Sequence, residues 1–217
     1  MLFHRNKLEI PEPTEALPGR TERWFHLPER HQVLDAPLVT DETNIPAGHE
    51  VALFGLGCFW GAEEIYWQMP GVWSTSVGYA GGSTPHPSYD EVCSGRTGHT
   101  EAVRVVYDPA RVSYADLVKG FYEFHDPTQG MRQGNDVGTQ YRSAIYTASD
   151  EQARVARELT EAYGPVLAER GYGPITTEIE PAPTYYYAED THQQYLAKNP
   201  YGYRCHSATG VPFPAQA

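Results

Sequence analysis

In Gly57-Cys58-Phe59-Trp60-Gly61 one thiol is set between glycines and beside two large aromatics. Upstream, Val51-Ala52-Leu53-Phe54 is a short apolar run bounded by Gly55 and Gly57, the pattern of a buried strand; downstream, Ala62-Glu63-Glu64-Ile65-Tyr66-Trp67-Gln68 is rich in helix formers with acids expected in the first turn. Cys58 is therefore expected at a helix N-terminus. There the unsatisfied backbone N–H groups and the positive end of the helix dipole favour a thiolate and should lower the thiol pKa. A buried, inert cysteine is the plainer alternative, since free cysteine is among the most buried residue types. The flanking glycines weigh against it, because they permit close backbone approach and unusual dihedrals that an inert core position does not require.

The bulk properties limit what that thiol can serve. Lys plus Arg number 16 against 28 Asp plus Glu, a net charge of −12, which disfavours nucleic acid or an anionic membrane surface as partner. No apolar run approaches the roughly 20 residues needed to span a bilayer. The opening Met1-Leu2-Phe3-His4-Arg5-Asn6-Lys7-Leu8-Glu9 has no apolar core of a secretory signal, so the expected location is cytoplasmic. Three cysteines without close spacing do not form a secreted disulfide framework; in a reducing compartment they point to catalysis, redox chemistry or plain burial.

The elements that must position Cys58 read as one domain preceded by an arm. Residues 1–49 hold Pro11, Pro13, Pro18, Pro28, Pro37 and Pro46 with little periodicity, an arm laid over the domain or partly mobile, with no chemistry assigned to it. The remainder, 50–217, interleaves strand and helix patterns without an internal repeat. Ala102–Tyr107 alternates as a strand. Ser113 is placed to cap a helix bearing Tyr114, Leu117, Val118 and Phe121, and Ala144–Thr147 reads as another strand. Ser149 and Gln152 resemble a capping box opening a long helix through Val155, Leu159 and Tyr163, which Pro165 should kink or end. Ile175–Ile179 reads as a last strand and Glu189–Lys198 as a short helix. The mixture predicts an α+β fold with a mixed sheet.

Four further stretches combine glycine with polar or aromatic residues at predicted turns or strand ends: Gly78–Gly82, Ser88–Val92, Gly98–Ala102 and Gln133–Ser143. Taken singly, ordinary turn chemistry explains each. Taken together with GCFWG and the ending YYAEDTHQQYLAKNPYGY, the motifs GYAGG, YDEVCSG, TGHTEAV and HDPTQGMRQGNDVGTQYRSAIY resemble the peptide methionine sulfoxide reductases of the A class, which act on the S-epimer of methionine sulfoxide. The resemblance covers roughly residues 50–212.

What the resemblance implies is specific. The fold would have the ferredoxin-like core of that class. Cys58 would attack the sulfoxide sulfur and become a sulfenic acid as methionine leaves. Glu101 would supply the proton for the departing oxygen, which requires a carboxyl kept neutral by burial; alone, it would pass for a solvated strand-end glutamate. Tyr89 and Tyr141 match the tyrosines that hydrogen-bond the sulfoxide oxygen, though with 16 tyrosines in the chain packing is the fair alternative for any one. Phe59 and Trp60 would form the pocket for the S-methyl group, and Asp136 would help orient substrate or water.

Cys205 matches the resolving cysteine, expected in a mobile C-terminal tail and forming one Cys58–Cys205 disulfide that thioredoxin reduces. Here the chain departs from a common form of the family, GYCG: Arg204 stands between Tyr203 and Cys205, and His206-Ser207-Ala208-Thr209 is less glycine-rich. Arg204 beside the thiol should favour its thiolate. No cysteine lies near Val211-Pro212-Phe213, so a two-step relay is absent. Cys93 is expected to be structural. The histidines, including His99, His125, His192 and His206, lack metal-ligand spacing, so no metal or bound cofactor is expected. Substrates would be oxidised proteins and peptides and free methionine sulfoxide, and the protein is expected to act as a monomer. Two rivals remain open: a cysteine hydrolase pairing Cys58 with His99 or His192 and Asp136, and a redox-sensing peptide-binding module without turnover.

Overall fold

The structure is a computed structural model, described here for residues 7–205 and 207–214; His206 lies outside them. Strand β1 (Glu50–Leu56) runs into helix α1 (Phe59–Trp67), then β2 (Val72–Ala80), the one-turn helix α2 (Tyr89–Cys93), β3 (Thr100–Tyr107) and α3 (Tyr114–Phe124). A small hairpin of β4 (Arg132–Gln133) and β5 (Asp136–Val137) precedes a 3-10 turn at Thr139–Tyr141 and β6 (Ser143–Thr147). The long α4 (Asp150–Glu169), β7 (Glu178–Pro181), β8 (Tyr186–Tyr187) and α5 (Tyr195–Lys198) follow.

The main sheet has the order β7-β6-β1-β3-β2-β8, with β6 and β7 parallel and every other pair antiparallel. Its inner four strands, in the order β6-β1-β3-β2 with α1 and α3 as crossovers, are the ferredoxin-like βαββαβ arrangement. Side-chain alternation decides which residues meet the helices. Ala52, Phe54 and Leu56 of β1, Val103, Val105 and Tyr107 of β3, and Val77 and Tyr79 of β2 join one core with α1, α3 and α4. Phe54, fully buried, stacks on Tyr66 of α1 at 5.2 Å and lies 5.6 Å from Phe121 of α3. The opposite face carries the smaller cluster Leu53, Ala80, Ala102, Ala144 and Tyr146, against which Tyr185 packs.

Several boundaries differ from the sequence expectation for physical reasons. Glu63 and Glu64 stand in the second turn of α1, with no acid in the first, because the helix begins at Phe59. Ser149 caps α4 by accepting from Gln152 N–H, but the Gln152 side chain accepts from Ala148 N–H and donates to the Val51 carbonyl, so the reciprocal half of a capping box is replaced by a tie to β1. α4 continues through Pro165 to Glu169, with Tyr163 and Leu167 fully buried on either side. The strand expected at Ile175–Ile179 is shifted to Glu178–Pro181, and the short β8 follows it at the other edge of the sheet. Glu189–Lys198 is helical only from Tyr195. Its first half is held in turns because Gln193 spends its amide on the backbone of Val77 and Ala188, and Gln194 adopts φ +46°.

The N-terminal arm is tied down by polar contacts. Lys7 O accepts from Thr139 N–H at 2.9 Å, Arg20 pairs with Glu91 of α2 at 2.6 Å, and Ser74 Oγ of β2 donates to Pro37 O. The deepest tie is a buried chain of hydrogen bonds. His31 Nδ1 accepts from Val33 and Leu34 N–H, which leaves Nε2–H to donate to Thr75 Oγ1 at 2.7 Å. Thr75 in turn donates to Glu63 Oε1 at 3.0 Å, and Glu63 accepts both the N–H and the side-chain amide of Gln194, at 2.8 and 2.7 Å. Gln194 Oε1 closes the circuit on Gln32 N–H. Arm, β2, α1 and the segment before α5 thus meet on one carboxyl group that is fully buried.

Truncating that carboxyl orphans several buried donors at once. Glu63→Ala is expected to cost about 2 kcal/mol or more of folding stability, and Glu63→Gln distinctly less. Urea unfolding at constant pH measures both; equal losses would mean that an amide at position 63 keeps none of the circuit's stabilisation.

Candidate active site

Cys58 occupies the N-cap of α1, where β1 ends and Gly57 turns the chain at φ +90°. Gly57 is required twice over: its φ is in the left-handed region, and a Cβ there would come within 2.6 Å of the Gln133 side chain. The Cys58 side chain makes no capping hydrogen bond, although the Trp60 N–H lies near enough to pull its pKa down, and it is only 8% exposed. Burial, followed by the neighbouring Glu101, pushes the thiol well up. This reverses the expectation of a depressed pKa: one backbone N–H does not offset desolvation and an adjacent carboxyl. Without a bound sulfoxide, Cys58 is a thiol.

Glu101 lies on β3 in the alternation of Val103 and Val105, so it points to the helix side beneath the start of α1. It pairs across the sheet with Tyr79 of β2. Oε2 accepts from Phe59 N–H at 3.0 Å, one residue beyond the nucleophile. Oε1 is buried with no hydrogen-bond partner among the described residues. Burial raises the Glu101 pKa from 4.5 to about 8, the Phe59 N–H pulls it down, and Asp136 adds a push upward. The group is thus a neutral acid at pH 7 with one oxygen free.

Aromatic rings enclose the same region. The Phe59 ring is fully buried and lies 5.9 Å from Tyr79 and 6.3 Å from Tyr89. Trp60 stacks on Tyr195 at 3.9 Å, and its indole N–H donates to His192 Nδ1 at 3.2 Å. His192 stacks on Tyr89 at 4.2 Å. α2 carries Tyr89 and is fixed by a capping box of Ser88 and Glu91. Glu189 holds the helix start by accepting from Tyr89 N–H and from the Tyr79 hydroxyl, both at 2.9 Å. The phenols of Tyr89 and Tyr141 are pushed well up, by burial first and by Glu101 next, so both stay neutral donors. Each feels Glu101 and Cys93; Tyr141 also feels Cys58 and Asp136.

The tail lines a cavity on Cys58 that does not include Phe59, Trp60, Tyr89, Glu101 or Tyr141. Cys58, Cys205, Gln133, Glu64, Arg204, Ser207, Phe124 and His125 are among the residues that line this cavity of about 370 Å³. Cys205 is half-buried, donates to the Gln133 carbonyl at 3.3 Å, and lies beside Ser207 Oγ. Asp136 accepts from the Tyr203 hydroxyl at 3.2 Å and abuts the Cys205 thiol, so it faces the tail. Burial, helped by Asp136, raises the Cys205 thiol. The thiolate expected from Arg204 does not arise, because the guanidinium is turned away onto Glu64, at 2.7 Å to each oxygen. Cys93 is pushed up to about 11 by burial and Glu101.

Sequence reasoning missed Tyr79, Glu189, Gln133 and Glu64, and named His192 only as a possible base. His99 makes no such base: Nδ1 accepts from Gly82 N–H and Nε2 donates to the Thr84 carbonyl. His125 is equally committed, to Phe121 O and Ser143 Oγ. Among the described residues no group of three or more His, Cys, Asp or Glu is arranged to hold a metal, and no helix is long and apolar enough to cross a membrane.

Comparison with known proteins agrees in sequence and in fold. The family model described as peptide methionine sulfoxide reductase matches residues 50–212. A relative from Salinispora arenicola, peptide methionine sulfoxide reductase MsrA, is 57% identical over 216 residues, covering 99% of this chain and 96% of its own. The structure of methionine sulfoxide reductase A of Corynebacterium diphtheriae superposes with a TM-score of 0.84 at 51% identity, covering 94% of this chain and 99% of that one. Reduced Mxr1 from Saccharomyces cerevisiae gives 0.70 at 36%, covering 75% and 93%.

A carboxyl whose folded pKa is raised above its unfolded value contributes stability at low pH that is lost as pH climbs through the folded value. For Glu101 that window runs from about 4.5 to about 8. Glu101→Gln removes this liability, so its stability relative to the native chain should grow as pH rises from 5 to 9. Denaturant unfolding across that range measures it; a difference that is flat with pH would mean Glu101 is ionised in the fold.

Proposed function

The chain belongs to the peptide methionine sulfoxide reductase family, and on that premise we propose that Cys58, Glu101 and Cys205 divide its redox cycle among them. The observation that carries the assignment is Glu101: a buried carboxyl, neutral near pH 7, anchored by Phe59 N–H and with one oxygen unpaired beside the thiol. A sulfoxide oxygen is a strong acceptor and supplies the missing partner. Tyr89 and Tyr141 add neutral O–H donors where negative charge gathers on that oxygen. As the bound oxygen is protonated by Glu101, its sulfur becomes electrophilic. Cys58 then attacks, and the thiol's own proton returns the carboxylate to its acid form. The S–O bond to methionine breaks, oxygen passes to Cys58, and methionine leaves beside a sulfenic acid.

Phe59 and Trp60 present ring faces and edges suited to a small polarizable S-methyl group. Asp136, half-buried and acidic, is suited to orient substrate or water near the tail. Cys205, in the same cavity as Cys58, attacks the sulfenic acid to give a disulfide and water. We propose thioredoxin as the reductant of that disulfide; the structural neighbour Mxr1 of Saccharomyces cerevisiae has been crystallised in complex with Trx2. The preferred substrates are the S-epimer in proteins and peptides, with free methionine sulfoxide also accepted. In this reading residues 1–49 are a bracing arm and 50–217 the catalytic domain with its tail. The enzyme works as a monomer, and its free cysteines suit the reducing cytoplasm.

Reduced protein mixed with S-epimer sulfoxide and no external reductant should release close to one methionine per chain and yield a Cys58–Cys205 disulfide, read by peptide mass mapping. Glu101→Gln should slow the release roughly 10²-fold. No methionine from either epimer would overturn the assignment, and an unaltered rate in Glu101→Gln would remove that residue from the chemistry.

A further inference from the structure

The residue that departs from the GYCG form makes the most elaborate contact of the tail. Arg204 Nε and Nη2 each donate to a different oxygen of Glu64, both at 2.7 Å, and Nη1 reaches Pro200 O at 2.9 Å and Gly202 O at 3.4 Å. One guanidinium therefore closes the turn that precedes Cys205 and grips a carboxylate in a fork-to-fork geometry. Glu64 belongs to α1, the helix whose N-cap is Cys58. Nucleophile and anchor share a rigid element. On the tail, Cys205 is the residue next to the anchor's partner.

Among the described residues, the other contacts of the tail run to its own flanks and to the β4–β5 hairpin, where Tyr203 donates to Asp136. Before the tail, Gly202 N–H bonds to Asn199 O and Asn199 N–H to Tyr195 O. After it, Tyr163 donates to Val211 O at 2.6 Å, Tyr172 to Thr209 O at 3.0 Å, and the Phe213 ring stacks on Tyr163 at 4.9 Å. Between these anchors Cys205 and Ser207 touch Gln133, which is on the hairpin and not on α1. Among the described hydrogen bonds of residues 203–207, those of Arg204 to Glu64 alone connect this stretch to the helix of Cys58.

We infer that Arg204 and Glu64 are a positioning pair for the resolving step, setting the distance and direction from which Cys205 approaches Cys58. This rests on the roles proposed above for the two cysteines. In the step concerned, the Cys205 sulfur attacks the Cys58 sulfenic sulfur; the S–S bond forms, the S–O bond breaks, and hydroxide leaves as water with the Cys205 proton. No group outside the chain is consumed. A fork that fixes orientation raises the effective concentration of one sulfur at the other, a benefit that a lysine at 204 cannot supply because its ammonium has no planar pair of donors. Glycine gives a tail reach; this arginine gives it aim.

The test separates the two chemical steps. Reduced protein is mixed with one equivalent of S-epimer sulfoxide in a rapid-quench device, and three quantities are followed: methionine released, Cys58 sulfenic acid trapped by dimedone, and Cys58–Cys205 disulfide. In Arg204→Ala, methionine release should keep the native rate. The sulfenic acid should persist about 10- to 100-fold longer, the usual cost of losing alignment. Arg204→Lys should recover only part of the loss, and the charge-reversed double variant Glu64→Arg/Arg204→Glu more than either single reversal. Raising salt should slow resolution in the native chain and leave Arg204→Ala unchanged. A sulfenic acid lifetime equal to native in both Arg204→Ala and Arg204→Lys would overturn the pairing while leaving the reductase cycle standing. Absence of methionine from the native protein would overturn both.

Discussion

The Phe59 N–H bond to Glu101 joins the chemistry to the fold. It exists because β1 ends at Leu56, α1 begins two residues after Gly57, and β3 runs antiparallel beside β1 so that its first helix-facing residue lies under the helix start. Each of those statements is about backbone. Once they hold, the acid and the nucleophile are neighbours without any side chain having to search for its partner. The same backbone amide that would have helped to stabilise a thiolate is spent on the carboxyl instead, and the thiol stays protonated until a substrate arrives.

Two buried carboxyls on the helix side of the sheet show how hydrogen bonding divides their roles. Glu63 has partners on both oxygens, from β2 and from Gln194, and burial raises it only to about 7. Glu101 has one partner and rises to about 8. The satisfied group braces the N-terminal arm and the segment before α5 against α1. The unsatisfied one keeps an open coordination for a reacting oxygen. A buried polar atom without a partner is costly, and the fold tolerates it where it is useful.

Much of this was legible in the chain, and the gaps have physical causes. The β1-to-α1 transition around Gly57, the capped start of α3 at Ser113 and the strand at Ala102–Tyr107 follow from alternation and capping. β2 escaped notice because Ser74, Thr75, Ser76 and Gly78 interrupt any apolar pattern; the three side chains are buried because the arm and the segment around Tyr185 cover that strand. α2 read as a turn because five residues are too few to show a period. Pro165 does not end α4, because helix propensity is a local argument, whereas the buried Tyr163 and Leu167 are tertiary ones. The acidity of Cys58 and Cys205 could not be read at all: sequence shows which charges adjoin a thiol in the chain, but not that Arg204 turns to Glu64 or that the thiols are buried.

The route of the C-terminal segment bears on how the molecule is made. Val211 is nearly fully buried, its carbonyl accepts from Tyr163, and Phe213 packs among Tyr122 and Tyr163 while its N–H bonds to Glu123. The arm likewise waits for Gln194. Both closures depend on residues synthesised after the sheet strands β1 to β7 and helices α1 to α4. During synthesis the sheet can pair and the helices can dock while the pocket around the nucleophilic sulfur still stands open to the medium. The nascent chain thus passes through a stage at which its nucleophilic sulfur is its least sheltered, until the segment carrying Cys205 packs beside it.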